Sequence, residues 1–132
     1  MLTRGKKSDR QKMIDKLDVL FSEYIRRRAM KVASGCQRCM TSKRSYQDLQ
    51  AAHCDGRGNL TVRFDVRNAL GLCGGCHMFI DAHPAEKELL FRKALGDEDY
   101  EALYVLSHMS SKQSPVDLKL KEIELRELLK EL

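Results

Sequence analysis

Cys36-Gln-Arg-Cys39 and Cys73-Gly-Gly-Cys76-His77, with residues 40–72 between them, decide how this chain is read. Two intervening residues let the backbone turn sharply enough to aim both sulfurs of a pair at one ion, and Gly74 and Gly75 ease that turn. Four thiolates suit a tetrahedral zinc ion, and because protein fills all four positions the expected zinc is structural. Redox-active Cys-x-x-Cys pairs usually stand alone on an α/β scaffold, and a chain read as intracellular disfavours disulfides, so metal binding is the better reading. Cys54, the fifth cysteine, has no partner in the pattern and reads as a small buried hydrophobe beside His53.

Composition explains why a metal would help. The 132 residues are 42% hydrophobic and 33% charged, the balance of one ordinary globular domain over 1–132 rather than of a disordered chain. Trp is absent and aromatics are 6%, so the core must be built from Leu, Ile, Val, Ala and Met, with zinc adding what aromatic burial would otherwise give. No apolar run approaches the roughly 18 to 20 residues of a membrane helix, and MLTRGKKSDRQK lacks the apolar stretch of a signal peptide. The expectation is a cytoplasmic protein with no membrane partner.

Outward from the cysteines the chain reads as helical flanks around a turn-rich middle. Before Cys36, Met13, Leu17, Leu20, Phe21, Tyr24 and Ile25 recur on one side of a 3.6-residue period. This predicts an amphipathic helix over 9–34, capped at Ser8 or Asp9 and stopped near Gly35. Residues 36–83 are expected to hold two short strands and one helix, and the alternation Leu60, Val62, Phe64, Val66 marks an extended segment. From Pro84 to 132 three helical stretches follow, the first ending at Gly96 and the last starting after SSKQSP. The last, with Ile123, Leu125, Leu128, Leu129 and Leu132, can dock on the N-terminal helix or on a second subunit.

Charge divides the chain in the same way. Residues 1–44 carry 13 Lys and Arg against 4 Asp and Glu, whereas residues 45–132 carry 11 against 15. A basic half of this kind attracts phosphate backbones and releases their counterions. Arg26, Arg27, Arg28 and Lys31, on the expected outer side of the first helix, are therefore candidate DNA contacts.

A second constellation lies among the cysteines: His53, Asn68, His77 and Asp81, with His83 just beyond at the Pro84 break. His77 and Asp81 are four residues apart where a helix is expected, so both can reach one ion, and His83 is a further candidate ligand or phosphate contact. His108 reads as structural. The order His53, Asn68, His77, with one Cys-x-x-Cys before it and Cys-x-x-Cys-His within it, resembles the HNH nucleases, whose core is a ββα-metal unit. LDVLFSEYIRRRAM, LQAAHC, TVRFDVRNALGLC and the Leu/Glu/Lys-rich C-terminal segment are similar to the NinG/Rap group of phage recombination nucleases, over approximately residues 16–132.

This resemblance implies an α+β fold, a zinc-stabilised ββα-metal core over 36–83 between the two helical regions. It also implies a metal-dependent DNA endonuclease acting on branched, Holliday-junction-like DNA, in the host cytoplasm if phage-encoded. His53 would be the general base and Asn68 would orient it or the loop that presents it. His77, with Asp81, would hold the catalytic ion, and Arg57 and Arg63 would clamp phosphate. A carboxylate in place of a second His favours Mg²⁺ or Mn²⁺, with Zn²⁺ also compatible. Many HNH nucleases carry Asp or His immediately before the general base; here Ala52 stands there, and the resemblance implies that Asp81, His83, Asp55 or water could complete the ion's shell. A symmetric cut across a junction needs two sites, so a homodimer is expected for that substrate. The competing readings are a zinc-stabilised DNA-binding module with a decayed nuclease site, favoured by Ala52, and a protein-interaction zinc module.

Overall fold

In the computed structural model, residues 5–109 and 111–132 are described; MLTR at the start and Ser110 within SSKQSP lie outside them. The chain runs α1 (Asp9–Ala33), β1 (Gln50–His53), α2 (Leu60–Arg63), β2 (Ala69–Leu72), α3 (Gly74–Ala82), α4 (Pro84–Leu95), α5 (Asp97–Ser107) and α6 (Pro115–Lys130). Single 3₁₀ turns precede each strand, at Tyr46–Asp48 and Val66–Asn68. The class is α+β, with six helices and one two-stranded antiparallel sheet among the described residues. No helix among the described residues is long and apolar enough to cross a membrane.

Helix α1 forms where its periodicity places it. The Ser8 side chain accepts from the Gln11 N–H at one end, and Ser34, in the left-handed region at φ 57°, donates its N–H to the Met30 carbonyl at the other. Its buried stripe is Ile14, Leu17, Phe21, Ile25 and Ala29, with Met13, Leu20 and Tyr24 half-buried beside it. Helix α6 docks on this stripe within the same chain through Leu118 and Leu125. Ile123, expected to be part of that contact, is 50% exposed. Buried Glu122 of α6 is held among Lys119, Arg126 and, more distantly, Lys16 of α1. Hydrogen bonds from Arg126 and Lys119 keep its carboxyl below the usual range.

The second strand is not where alternation placed it. Leu60–Arg63 is helical, because the Asn59 side chain caps it by accepting from the Thr61 N–H, and a turn follows at Val66–Asn68. The strand is Ala69-Leu-Gly-Leu72, paired with β1 so that His53 faces Ala69 and Gln50 faces Leu72. Small residues win this place because α1 lies directly on β2: a Cβ on Gly71 would stand 2.5 Å from Ala29 Cβ and 3.3 Å from the Ile25 carbonyl. Gly71→Ala is therefore expected to destabilise by about 1–3 kcal/mol, read as a lower denaturant midpoint at unchanged slope. An unchanged midpoint would show that α1 and β2 separate without cost.

Helix α3 leaves β2 after one residue, Cys73, which serves as its N-cap. Helices α4 and α5, joined at Gly96, close the opposite side of the sheet through Phe91 and Tyr100, which share a core with Leu49, Ala52, Leu70, Leu72 and Ile80. β2 and α3 thus follow one another directly in the chain, with β1 paired alongside, and their positions set out the two sites described next.

Candidate functional site

Cys36 and Cys39 arrive on the turn after α1, and Cys73 and Cys76 on the first turn of α3. Their four sulfurs lie within 4.8 Å of one another, and Cys39 Sγ to Cys73 Sγ is 3.9 Å. Ligands of a tetrahedral zinc with bonds of about 2.3 Å stand about 3.8 Å apart, so this cluster is compatible with structural zinc. The cysteines are free rather than bridged.

Local backbone geometry builds the cluster. The Cys36 N–H donates to the Thr41 carbonyl and the Met40 N–H to the Cys36 carbonyl, a turn closed by Met40 at φ 61°. Backbone N–H groups of Arg38 and Cys76 point at the sulfurs of Cys36 and Cys73, at 3.4 and 3.5 Å. Gly35 is required by close approach, since a Cβ there would overlap the Thr41 carbonyl. Hydrogen bonds with Thr41 hold the Cys39 thiol down to about 6, while burial pushes Cys76 up to about 12 despite the Arg38 guanidinium 3.4 Å away. Cys54 lies apart, half-buried, its thiol raised to about 11 by burial.

Beside the cluster is a cavity of about 540 Å³ whose walls include His53, His77, Asp81, Arg26, Arg57 and Lys87. His53 ends β1 with its ring 5.4 Å from that of Phe21. Its Nε2 is buried and has no hydrogen-bond partner among the described residues. Burial lowers its pKa, and the positive charge of Arg57 lowers it further, against a backbone hydrogen bond to Arg63 and the charge of Asp18. The ring is thus held neutral at neutral pH.

Among the described residues, Asn68 makes no hydrogen bond to that ring. Fully buried, it donates to the carbonyls of Asp55 and Val62 and accepts from the Asp55 N–H, which ties the loop after His53 back to the start of β2. It therefore fixes the loop that presents His53, rather than His53 itself. His77 sets its Nδ1 2.8 Å from Gln50 Oε1 and its Nε2 3.2 Å from Asp81 Oδ2, and Lys87 Nζ lies 2.9 Å from the other Asp81 oxygen. Both members of this pair line the His53 cavity.

Three candidates sit elsewhere or are already engaged. His83, the C-cap of α3, folds back so that its ring stacks on Phe79 at 4.2 Å and its Nδ1 lies 2.8 Å from the Phe79 carbonyl; it does not line the cavity. Arg28 flanks the buried stripe of α1 and turns inward, donating to the carbonyls of Val66 and Ala69, so it is a strut between helix and sheet. Arg63 forms a two-pronged pair with Asp18, at 3.0 and 2.6 Å, and also donates to the Arg57 carbonyl. Arg57 itself remains 62% exposed at the rim, 4.0 Å from Asp18. Arg26 lines the cavity, Arg27 pairs with Glu23 at 3.4 Å, and Lys31 is exposed.

Gln50, Lys87 and Asp18 are the residues that sequence reasoning missed. Gln50 stands three residues before His53, a separation that puts the two on opposite faces of an ideal strand, so the pattern does not announce it. Lys87 and Asp18 come from α4 and α1, and no spacing in the chain announces them. Compared with known proteins, the chain matches no family model, no curated protein and no solved structure.

Proposed function

We propose that this protein is a metal-dependent DNA endonuclease that hydrolyses phosphodiester bonds with His53 as general base. The observation that carries the reading is the buried, unpartnered Nε2 of a neutral histidine, set in a cavity beside a histidine–carboxylate pair and two arginines. A buried polar atom without a partner is costly, and a ring rotation that turns Nε2 to the cavity would let a water or substrate oxygen satisfy it. There Nε2 takes a proton from the attacking water, the water oxygen bonds to phosphorus, and the bond to the 3′ oxygen breaks, the leaving oxygen taking its proton from solvent. The products carry a 5′-phosphate and a 3′-hydroxyl.

His77 and Asp81 fit a divalent ion. Their 3.2 Å separation is close to the about 3 Å between neighbouring ligands of an octahedral ion with bonds of about 2.1 Å, and Gln50 orients His77 through Nδ1, leaving Nε2 toward Asp81. Such an ion supplies charge stabilisation for the phosphate and the departing oxygen. Arg26 and Arg57 bind the phosphates on either side of the scissile bond. Asn68 and the Arg63–Asp18 pair act through the loop they hold. The preference for branched, recombination-type DNA follows from the NinG/Rap resemblance.

The test is cutting of a labelled four-way junction and a matched linear duplex with Mg²⁺, Mn²⁺ or chelator. Metal-stimulated cutting, faster on the junction, is expected; no cutting with any ion would overturn the assignment. Ala52 favours a second reading, a zinc-stabilised DNA-binding module: its side chain is wholly buried in the core and offers no ligand before His53. Binding without cutting would establish that module instead.

The charge of Arg57 gives a further expected result. Only neutral His53 can accept the proton, so its lowered pKa should carry activity below the ordinary histidine value of about 6.5. Arg57→Gln removes a cation that holds the pKa down, so the acid limb of kcat/KM should move to higher pH, along with weaker substrate binding. A limb that stays in place would assign it to another group.

A further inference from the structure

A second cavity, of about 470 Å³, is lined by Arg27, Met30 and Lys31 of α1, by Arg44, Ser45 and Tyr46 of the segment leading to β1, and by Leu132 beyond α6. The guanidinium of Arg26, a wall of the His53 cavity, lies 5.1 Å over the ring of Tyr46, a wall of this second one. The stacked pair joins the two cavities along α1. Most arginines near the sheet are committed: Arg63 to Asp18, Arg67 to Asp65, Arg28 to backbone carbonyls. Among the described residues, Lys31 and Arg44 make no ion pair, and both are exposed. Glu23, beside the groove, pairs with Arg27 and accepts from the Tyr46 hydroxyl, so it does not neutralise Lys31 or Arg44.

The wall that carries Arg44 is fixed by the cysteine turn. The Lys43 N–H donates to the Ser34 carbonyl, Gly35 bridges to Ser42, and the Ser45 side chain caps the turn that begins at Tyr46. Two cation-bearing walls are thus held at a set separation, one by α1 and the other through Cys36 and Cys39.

We infer that this groove binds a second stretch of the backbone of the same DNA, away from the scissile phosphate, through Lys31 and Arg44. The inference rests on the reading of the first cavity as a phosphodiester site, because a continuous polyanion is the ligand that occupies both joined cavities at once. Each phosphate contact contributes about 0.9 to the slope of log affinity against log salt concentration.

The experiment measures binding of a labelled duplex, long enough to span both cavities, across a salt series. It uses the zinc-loaded His53→Ala chain, so that binding is read without cutting. Adding Lys31→Ala with Arg44→Ala should make the slope shallower by about 2 and lower affinity on the order of 10-fold at low salt. The charge-keeping pair Lys31→Arg with Arg44→Lys should keep the slope. Lys93→Ala, which removes an exposed charge on α4 outside both cavities, should also leave it unchanged. An unchanged slope in the double alanine variant, or an equal loss in Lys93→Ala, would overturn the groove. If the slope shifts as expected but the wild-type chain never cuts DNA, the catalytic reading fails and the groove stands; absence of any DNA binding removes both.

Discussion

His53→Ala is expected to lower the rate of DNA cutting by about 10²–10⁴-fold, the range that a positioned general base supplies, while DNA binding and zinc content stay close to wild type. The separation of effects follows from position. The His53 ring touches Phe21 at the cavity wall, whereas the cysteine cluster and both apolar cores are formed by other side chains. Single-turnover cutting at saturating enzyme reads the chemical step directly. A variant that cuts at the wild-type rate would remove His53 from the mechanism and leave its orphaned Nε2 without a role.

Cys36→Ser is expected to cost a large part of the folding free energy, because the cluster joins segments that little else connects. The turn at Cys36–Cys39 is tied to β2 by the Gln37 N–H donating to the Gly71 carbonyl and by the Gln37 side chain accepting from the Gly71 N–H. These two hydrogen bonds of about 1 kcal/mol each, together with the Arg38 guanidinium 4.1 Å over the Phe79 ring, cannot replace a zinc ion whose binding to small folded motifs supplies about 10–16 kcal/mol. Whole domains of this size are stable by only about 5–15 kcal/mol. Loss of cooperative thermal unfolding, together with loss of one zinc per chain, is the expected outcome by circular dichroism and metal analysis. Retention of the wild-type melting profile without bound zinc would show that the apolar cores suffice.

Parts of this structure were legible because the relevant physics is local. The stripe of α1, its cap at Ser8 or Asp9 and the two cysteine pairs are written in spacings of two to four residues, and so is the His77–Asp81 pair on one helical face. The β2 assignment failed because alternation at Leu60–Val66 resembles a strand, while the Asn59 cap and the approach of Ala29 to Gly71 decide otherwise. The inward turn of Arg28 depends on carbonyls of a segment about forty residues away. The folding of His83 onto Phe79 was equally hidden: its position at the end of α3 was readable, but its ring orientation was not. Lys87 and Asp18 reach the cavity only through the packing of α4 and α1 on the sheet, which no periodicity reports.

The most direct measurement is DNA hydrolysis by the zinc-loaded protein in heavy-oxygen water with Mg²⁺, with mass analysis of the new strand ends. Attack by water activated at His53 predicts heavy oxygen in a 5′-phosphate and an unlabelled 3′-hydroxyl. Intact DNA, or cut ends bearing a 3′-phosphate, would contradict the account.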